Sequence, residues 1–132
     1  MTLLIDTQVL LWFQEDNPQL PVRNKLILED PLNTIWVSQV SLFEIAIKLK
    51  IGKLPDFVVS ILTLTEQIRE DGFAILPLHN EHITAYVELP LLDDHRDPFD
   101  RLIMATALHE NWPVMSADAT FSRYKDLVTV IW

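Results

Sequence analysis

The sequence contains no cysteine, and only two of its 132 residues are glycine. The first absence excludes disulfides and thiolate zinc sites and fits a reducing compartment. The second, with no repeats and no low-complexity tract, leaves no sign of a linker. The expectation is one domain over residues 1–132. Positive charge is scarce too: 10 Lys and Arg stand against 19 Asp and Glu, a formal net charge of −9. That balance counts against broad electrostatic binding to nucleic acid, which depends on Lys and Arg at phosphates. It suits a basic partner, or a chain that spends carboxylates on cations. No apolar run approaches the ~20 residues of a membrane-spanning helix. The opening Met-Thr-Leu-Leu-Ile has no basic stretch and meets Asp6 at once, unlike a secretory signal. A soluble, cytoplasmic protein with no membrane association is expected.

What is present is hydrophobic, 49% of the chain, enough for a real core. It comes in short alternating blocks. Residues 2–5 read as a buried strand, and 7–14 as a helix. A second helix runs from 22 to 29, with Pro21 near its start and Pro31 just past its end. The β-branched and aromatic run 34–37 is a strand. Val40, Phe43 and Ile47 recur at helical spacing, so a helix starts at 38 or 39 and stops at Gly52. A further helix is expected over 56–71, ended by Gly72, then a strand over 73–76 and a helix over 81–89. Helix 98–110, strand 113–115, a short helix 119–124 and strand 127–131 complete the chain. Short apolar strands alternating with helices imply an α/β fold with a parallel sheet covered on both faces. In such sheets ligands bind at the carboxyl ends of the strands, at a switch point.

Several carboxylates fall there. Asp6 follows the first strand directly, and Asp118 follows strand 113–115 by two small residues. Asp100 lies in the first turn of helix 98–110, with Asp97 three residues earlier on the same side. Glu44 is mid-helix among Phe43, Ile45, Ala46 and Ile47. Each has a plain structural reading. Asp6 or Thr7, and Ser116 or Asp118, would serve as helix N-caps. Asp97-Pro98-Phe99-Asp100 has the pattern of a capped start. Glu44 could simply pair with Lys48 one turn on. Together they pose a harder problem, because buried carboxylates are costly unless paired or bound to metal. A hard divalent cation such as Mg²⁺ removes the conflict with a few oxygen ligands. Such a site can activate water for in-line attack on a phosphodiester.

Four segments in order, LLIDTQVLLWF (3–13), VSQVSLFEIAIKLKIGKL (37–54), HRDPFDRLIMATAL (95–108) and VMSADATFSRY (114–124), resemble a PIN-domain ribonuclease of the VapC toxin type. The resemblance implies a three-layer α/β/α domain with a central parallel sheet. It implies an endoribonuclease dependent on Mg²⁺ or Mn²⁺ and neutralised by an antitoxin. By position, Asp6, Glu44, Asp100 and Asp118 match the acidic quartet, as catalytic residues and metal ligands, with Asp97 as an additional candidate ligand. Thr7 and Ser116 match small polar positions that hold metal-associated water or orient a carboxylate. Two departures stand out: Gln8 occupies a position where relatives often carry His, and Ser116-Ala117-Asp118 is a looser form of the last motif.

Arg96, Arg101 and Lys48 are candidate contacts to an RNA phosphate, the arginines alternatively bridging to Asp94 or Asp97. Lys48, Lys50 and Lys53 form a small basic cluster that could follow an RNA backbone. His95 reads as a loop residue or RNA contact, and His79 and His82, three apart, have no evident partners. The four tryptophans read as core or interface. The apolar first helix (Leu10, Leu11, Trp12, Phe13) and helix 56–71 look richer than a small core requires. They are expected to form a groove for an amphipathic antitoxin segment and a homodimer surface, giving a hetero-oligomer with the antitoxin. Two other classes compete. An aspartyl-nucleophile phosphatase would use Asp6 but normally wants another Asp two residues on, where Gln8 stands. A non-catalytic α/β interaction module would use every acid as a cap.

Overall fold

The computed structural model describes residues 1–92 and 97–132. Five strands, β1 (Thr2–Ile5), β2 (Thr34–Ser38), β3 (Ala74–Leu76), β4 (Val114–Met115) and β5 (Val130–Ile131), form one sheet in the order β3-β2-β1-β4-β5. Every pairing is parallel. Among the described residues six α-helices connect them: α1 (Thr7–Gln14), α2 (Val22–Glu29), α3 (Gln39–Lys50), α4 (Ile61–Glu70), α5 (Asn80–Glu88) and α6 (Pro98–Glu110). A 3-10 helix, Ala119–Tyr124, lies between β4 and β5.

The period-2 geometry of the strands divides their side chains between two cores. Leu3, Ile5, Ile35, Val37 and Met115 face the first, which is filled by buried residues of α1 to α4 such as Leu10, Leu28, Ile45 and Leu64. Leu4 and Val114 face the second, with Ile103 and Met104 of α6, Ala85 of α5 and Phe121 and Tyr124 of the 3-10 helix. Helices therefore cover both faces, as in a three-layer α/β/α arrangement. Phe121 is fully buried in the second core. Phe121→Ala is expected to cost about 3–5 kcal/mol, seen as a lower midpoint in urea unfolding with little change in slope.

The chain starts at the middle of the sheet, builds outward through β2 and β3, then returns to the other side of β1 for β4. The switch point is the carboxyl end of β1 and β4. The Asp6 backbone N–H donates to the Met115 carbonyl at 3.1 Å, which holds the ends of the two strands side by side. Helices that precede or follow parallel strands must begin at this edge. The N-termini of α1, α3 and α6 and of the 3-10 helix consequently gather there.

Some boundaries differ from expectation. Helix α4 begins at Ile61 rather than 56, because Ser60 caps it, accepting from the Thr63 N–H at 3.1 Å. Strands β4 and β5 are shorter than expected, two residues each. Gly52 and Gly72 do stop α3 and α4, in left-handed conformations (φ 75° and 82°) that favour glycine. On the first helix Leu10 and Leu11 are buried, while Trp12 and Phe13 are partly buried, packing against the core and on the rings of Trp132 and Phe73. Trp36 stacks on Trp112 with ring centroids 5.5 Å apart. Among the described residues, no helix is long and apolar enough to cross a membrane.

Candidate metal centre

Asp6, Glu44, Asp97, Asp100 and Asp118 all line one cleft of about 330 Å³, together with Thr7, Gln8, Leu11, Lys48 and Ala117. These acids come from four separate stretches of chain and meet at the switch point. The caps are real. Asp6 Oδ1 accepts from the Val9 N–H at 2.8 Å. Asp97 Oδ1 accepts from Phe99 and Asp100 N–H at 2.9 and 3.3 Å. Asp118 Oδ1 accepts from Thr120 N–H at 2.8 Å. Capping explains Asp6, Asp97 and Asp118 locally, and three helix N-termini partly offset their charge. It does not explain Glu44, which lies mid-helix, and Asp100, in the first turn of α6, is no cap itself.

Glu44 is 6% exposed and held from two sides. The Thr7 hydroxyl donates to its Oε1 at 2.6 Å and lies 2.9 Å from the buried Ser41 Oγ. The Lys48 ammonium sits 3.1 Å from Oε2. Ser116 hydrogen-bonds the Asp6 carboxyl, and its Oγ accepts from the Asp118 N–H at 3.1 Å. Thr7 and Ser116 thus each fix a carboxylate. Ser41 completes the Thr7 link and went unnoticed in the sequence; only its place on the α3 face opposite Thr7 distinguishes it.

The electrostatics are those of crowded negative charge. Burial pushes the Asp6 carboxyl from 3.8 up to about 6, with Asp118 and Glu44 adding to the rise, while the bonds from Ser116 and Val9 restrain it. Burial also pushes Asp100 up to about 7, reinforced by Asp97, Glu44, Asp6 and Asp118. Among the described residues no three acidic or imidazole side chains are arranged as a finished ligand set; Glu44 is drawn toward Lys48 and Asp6 toward its cap. The donor chemistry nonetheless fits a hard divalent cation. Every acid offers oxygen, and the cleft has room for the waters that Mg²⁺ or Mn²⁺ retains.

Two sequence expectations fall elsewhere. Arg101 does not face the cleft. It is 3% exposed and points into the second core, donating to the Pro90 carbonyl at 2.9 Å, the Tyr124 hydroxyl at 3.2 Å and the Leu89 carbonyl at 3.4 Å, over the Tyr86 ring. A buried guanidinium whose two terminal nitrogens are already bound inside the core cannot grip a phosphate. Successive helix residues diverge by about 100°, so the residue after Asp100 faces the core. Arg96 and His95 lie outside the described residues. His82, read as partnerless, is 1% exposed and bridges two helices: its Nδ1 accepts from the His79 N–H at 3.1 Å and its Nε2 lies 2.8 Å from Glu110.

The sequence matches the family model described as PIN domain over residues 3–127. No curated protein sequence matches it significantly. The fold is similar to a structure of VapBC2 from Rickettsia felis bound to a DNA fragment from its promoter, at TM-score 0.73 and 19% identity, covering 99% of this chain and 98% of the other. It is also similar to VapBC-1 from nontypeable Haemophilus influenzae, at TM-score 0.66 and 13% identity, covering 99% and 97%. A third similar structure is FitAcB from Neisseria gonorrhoeae, at TM-score 0.62 and 22% identity, covering 98% and 96%. At these identities the likeness is one of fold.

Proposed function

Because this chain belongs to the PIN domain family, we propose that it is a divalent-metal-dependent endoribonuclease, the toxin of a toxin–antitoxin pair. One observation carries the reading: five carboxylates from four separate stretches of chain line one cleft at the switch point. Asp6, Asp100, Asp118 and Glu44 would hold Mg²⁺ or Mn²⁺, with Asp97 beside them. When bound, the ion supplies positive charge against the phosphodiester and acidifies the attacking water. The chain's own residues do the positioning. Thr7 keeps Glu44 turned into the cleft, Ser116 keeps Asp6 and the start of the 3-10 helix in register, and Lys48 is the cleft's cation, available to a phosphate once a metal engages Glu44.

The similarity to the VapBC and FitAcB structures supports an antitoxin partner for this chain, and the net charge of −9 suits a basic one. A phosphatase reading is disfavoured by Gln8, which lines the cleft where a second aspartate would be needed. The test is substrate choice by the purified, antitoxin-free chain. It should cut transfer or total cellular RNA into discrete fragments and leave small phosphate monoesters intact; release of phosphate from the esters, with RNA untouched, would reverse the assignment.

Thr7→Val tests the positioning of Glu44. It removes the 2.6 Å hydrogen bond while keeping the side chain's size. A lost orienting bond of this kind typically costs about 10–100-fold in metal affinity or activity. Mn²⁺ titration by calorimetry should show that loss of affinity, with cleavage recovering at high metal.

A further inference from the structure

We propose that Phe43 and Phe99 form a stacking platform for an unpaired nucleobase beside the acidic cleft. This rests on the ribonuclease reading and adds where the base nearest the scissile phosphate lies. Phe43 is 63% exposed, on a helix that buries Val40, Leu42 and Ile45. Phenylalanine is normally a buried residue, and this ring is left largely in water. Its only ring neighbour among the described residues is Phe99, with centroids 6.0 Å apart and planes at 68°. An edge-to-face pair braces the rings without covering both of their faces.

The position is specific. Phe43 immediately precedes Glu44, and Phe99 immediately precedes Asp100, and both acids line the cleft. Neither ring lines the cleft itself; their contact spans α3 and α6 beside it. The same helix and the turn after it supply cations for the flanking backbone. Lys48 lines the cleft, and the exposed Lys50 and Lys53 make no ion pair among the described residues. A cation-binding floor, an aromatic wall and nearby ammonium groups match a single-stranded polynucleotide, whose bases offer open π-faces. A duplex hides those faces.

The experiment uses the full chain carrying Asp100→Asn, so that RNA is bound without being cut. The probe is a labelled single-stranded oligoribonucleotide of mixed sequence, compared with the same sequence as a blunt duplex. Adding Phe43→Ala should weaken single-strand binding roughly 5- to 100-fold, leave duplex binding unchanged, and be reversed by Phe43→Trp. Val87→Ala, at an 81% exposed apolar site on α5, should change neither. In the cleaving chain, Phe43→Ala should raise KM by a similar factor with kcat within about twofold. Unchanged single-strand binding, or equal losses for both probes, would overturn the platform. Intact RNA binding with lost capture of the protein partner would also overturn it, making the face a protein interface. If the chain with Phe43 intact neither binds nor cuts RNA, the ribonuclease reading itself has failed, and that is seen before Phe43 is touched.

Discussion

Asp100→Asn should reduce RNA cleavage by roughly 10³-fold or more, an effect of about 4 kcal/mol on the barrier, and should make the protein more stable at pH 8. The two halves have one cause. Asp100 is held in a half-buried position against four other carboxylates, which pushes its carboxyl up to about 7. At pH 8 it is charged at a cost, and the neutral amide removes that cost. Allowing for solvent screening of a partly exposed group, the gain is about 1 kcal/mol, a few degrees in Tm. At pH 5 the native carboxyl is protonated while the unfolded one is still ionised, so the gain should be much smaller, and it vanishes only below about 3.8. Thermal melts of both proteins at the two pH values, alongside cleavage rates, check the pair of outcomes. A carboxylate that only shaped its helix would give the opposite pattern, with activity kept and stability lost.

Divalent metal should oppose the pH dependence of stability. For the metal-free protein, Asp6 and Asp100 have folded pKa values of about 6 and about 7 against an ordinary 3.8. Between those limits the native state binds more protons than the unfolded state, so stability falls as pH rises from about 4 through 7. The contribution is complete below 3.8 and is lost as pH passes each folded value. For the well-buried Asp6 the loss is at most about 3 kcal/mol. Mn²⁺ binds the deprotonated acids, so its stabilisation grows over the same window. At a hundredfold excess over Kd it should add about 2.7 kcal/mol at pH 7.5, roughly 5–10 °C in Tm. At pH 5 the same metal should add little. Asp6→Asn and Asp100→Asn should each abolish most of the metal response. A metal-independent Tm at pH 7.5 would mean that the cleft does not bind the ion.

The sequence revealed most where a local pattern determines the outcome. Asp97-Pro98 followed by an apolar run marks the start of α6 at Pro98, because proline at the first helical position loses no hydrogen bond. Asp6 after an apolar tetrapeptide marks a strand end, and the alternation of elements makes that end a switch point. Together these two rules brought the acids to one edge, where the structure places them. Long-range contacts were not legible. Nothing local tells that His82 meets Glu110, 28 residues away, or that Ser41 backs Thr7. Arg101 was misread because a charged residue beside two aspartates looks like part of their site. Its spacing to Met104, Ala105 and Leu108 carried the contrary signal, since i, i+3, i+4 and i+7 share one helix face, and that face is buried. The start of α4 was missed because Phe57-Val58-Val59 reads as continuous with the helix, whereas Ser60 provides the cap.

Metal-dependent RNA cleavage by the unmodified chain and by Asp6→Asn and Asp100→Asn, with Mg²⁺, with Mn²⁺ and with chelator, tests the central claim most directly. The account predicts discrete cuts by the unmodified chain in either metal, none with chelator, and none by either variant although both remain folded. Cutting that persists in chelator, or that survives both substitutions, would contradict a metal centre built from these carboxylates.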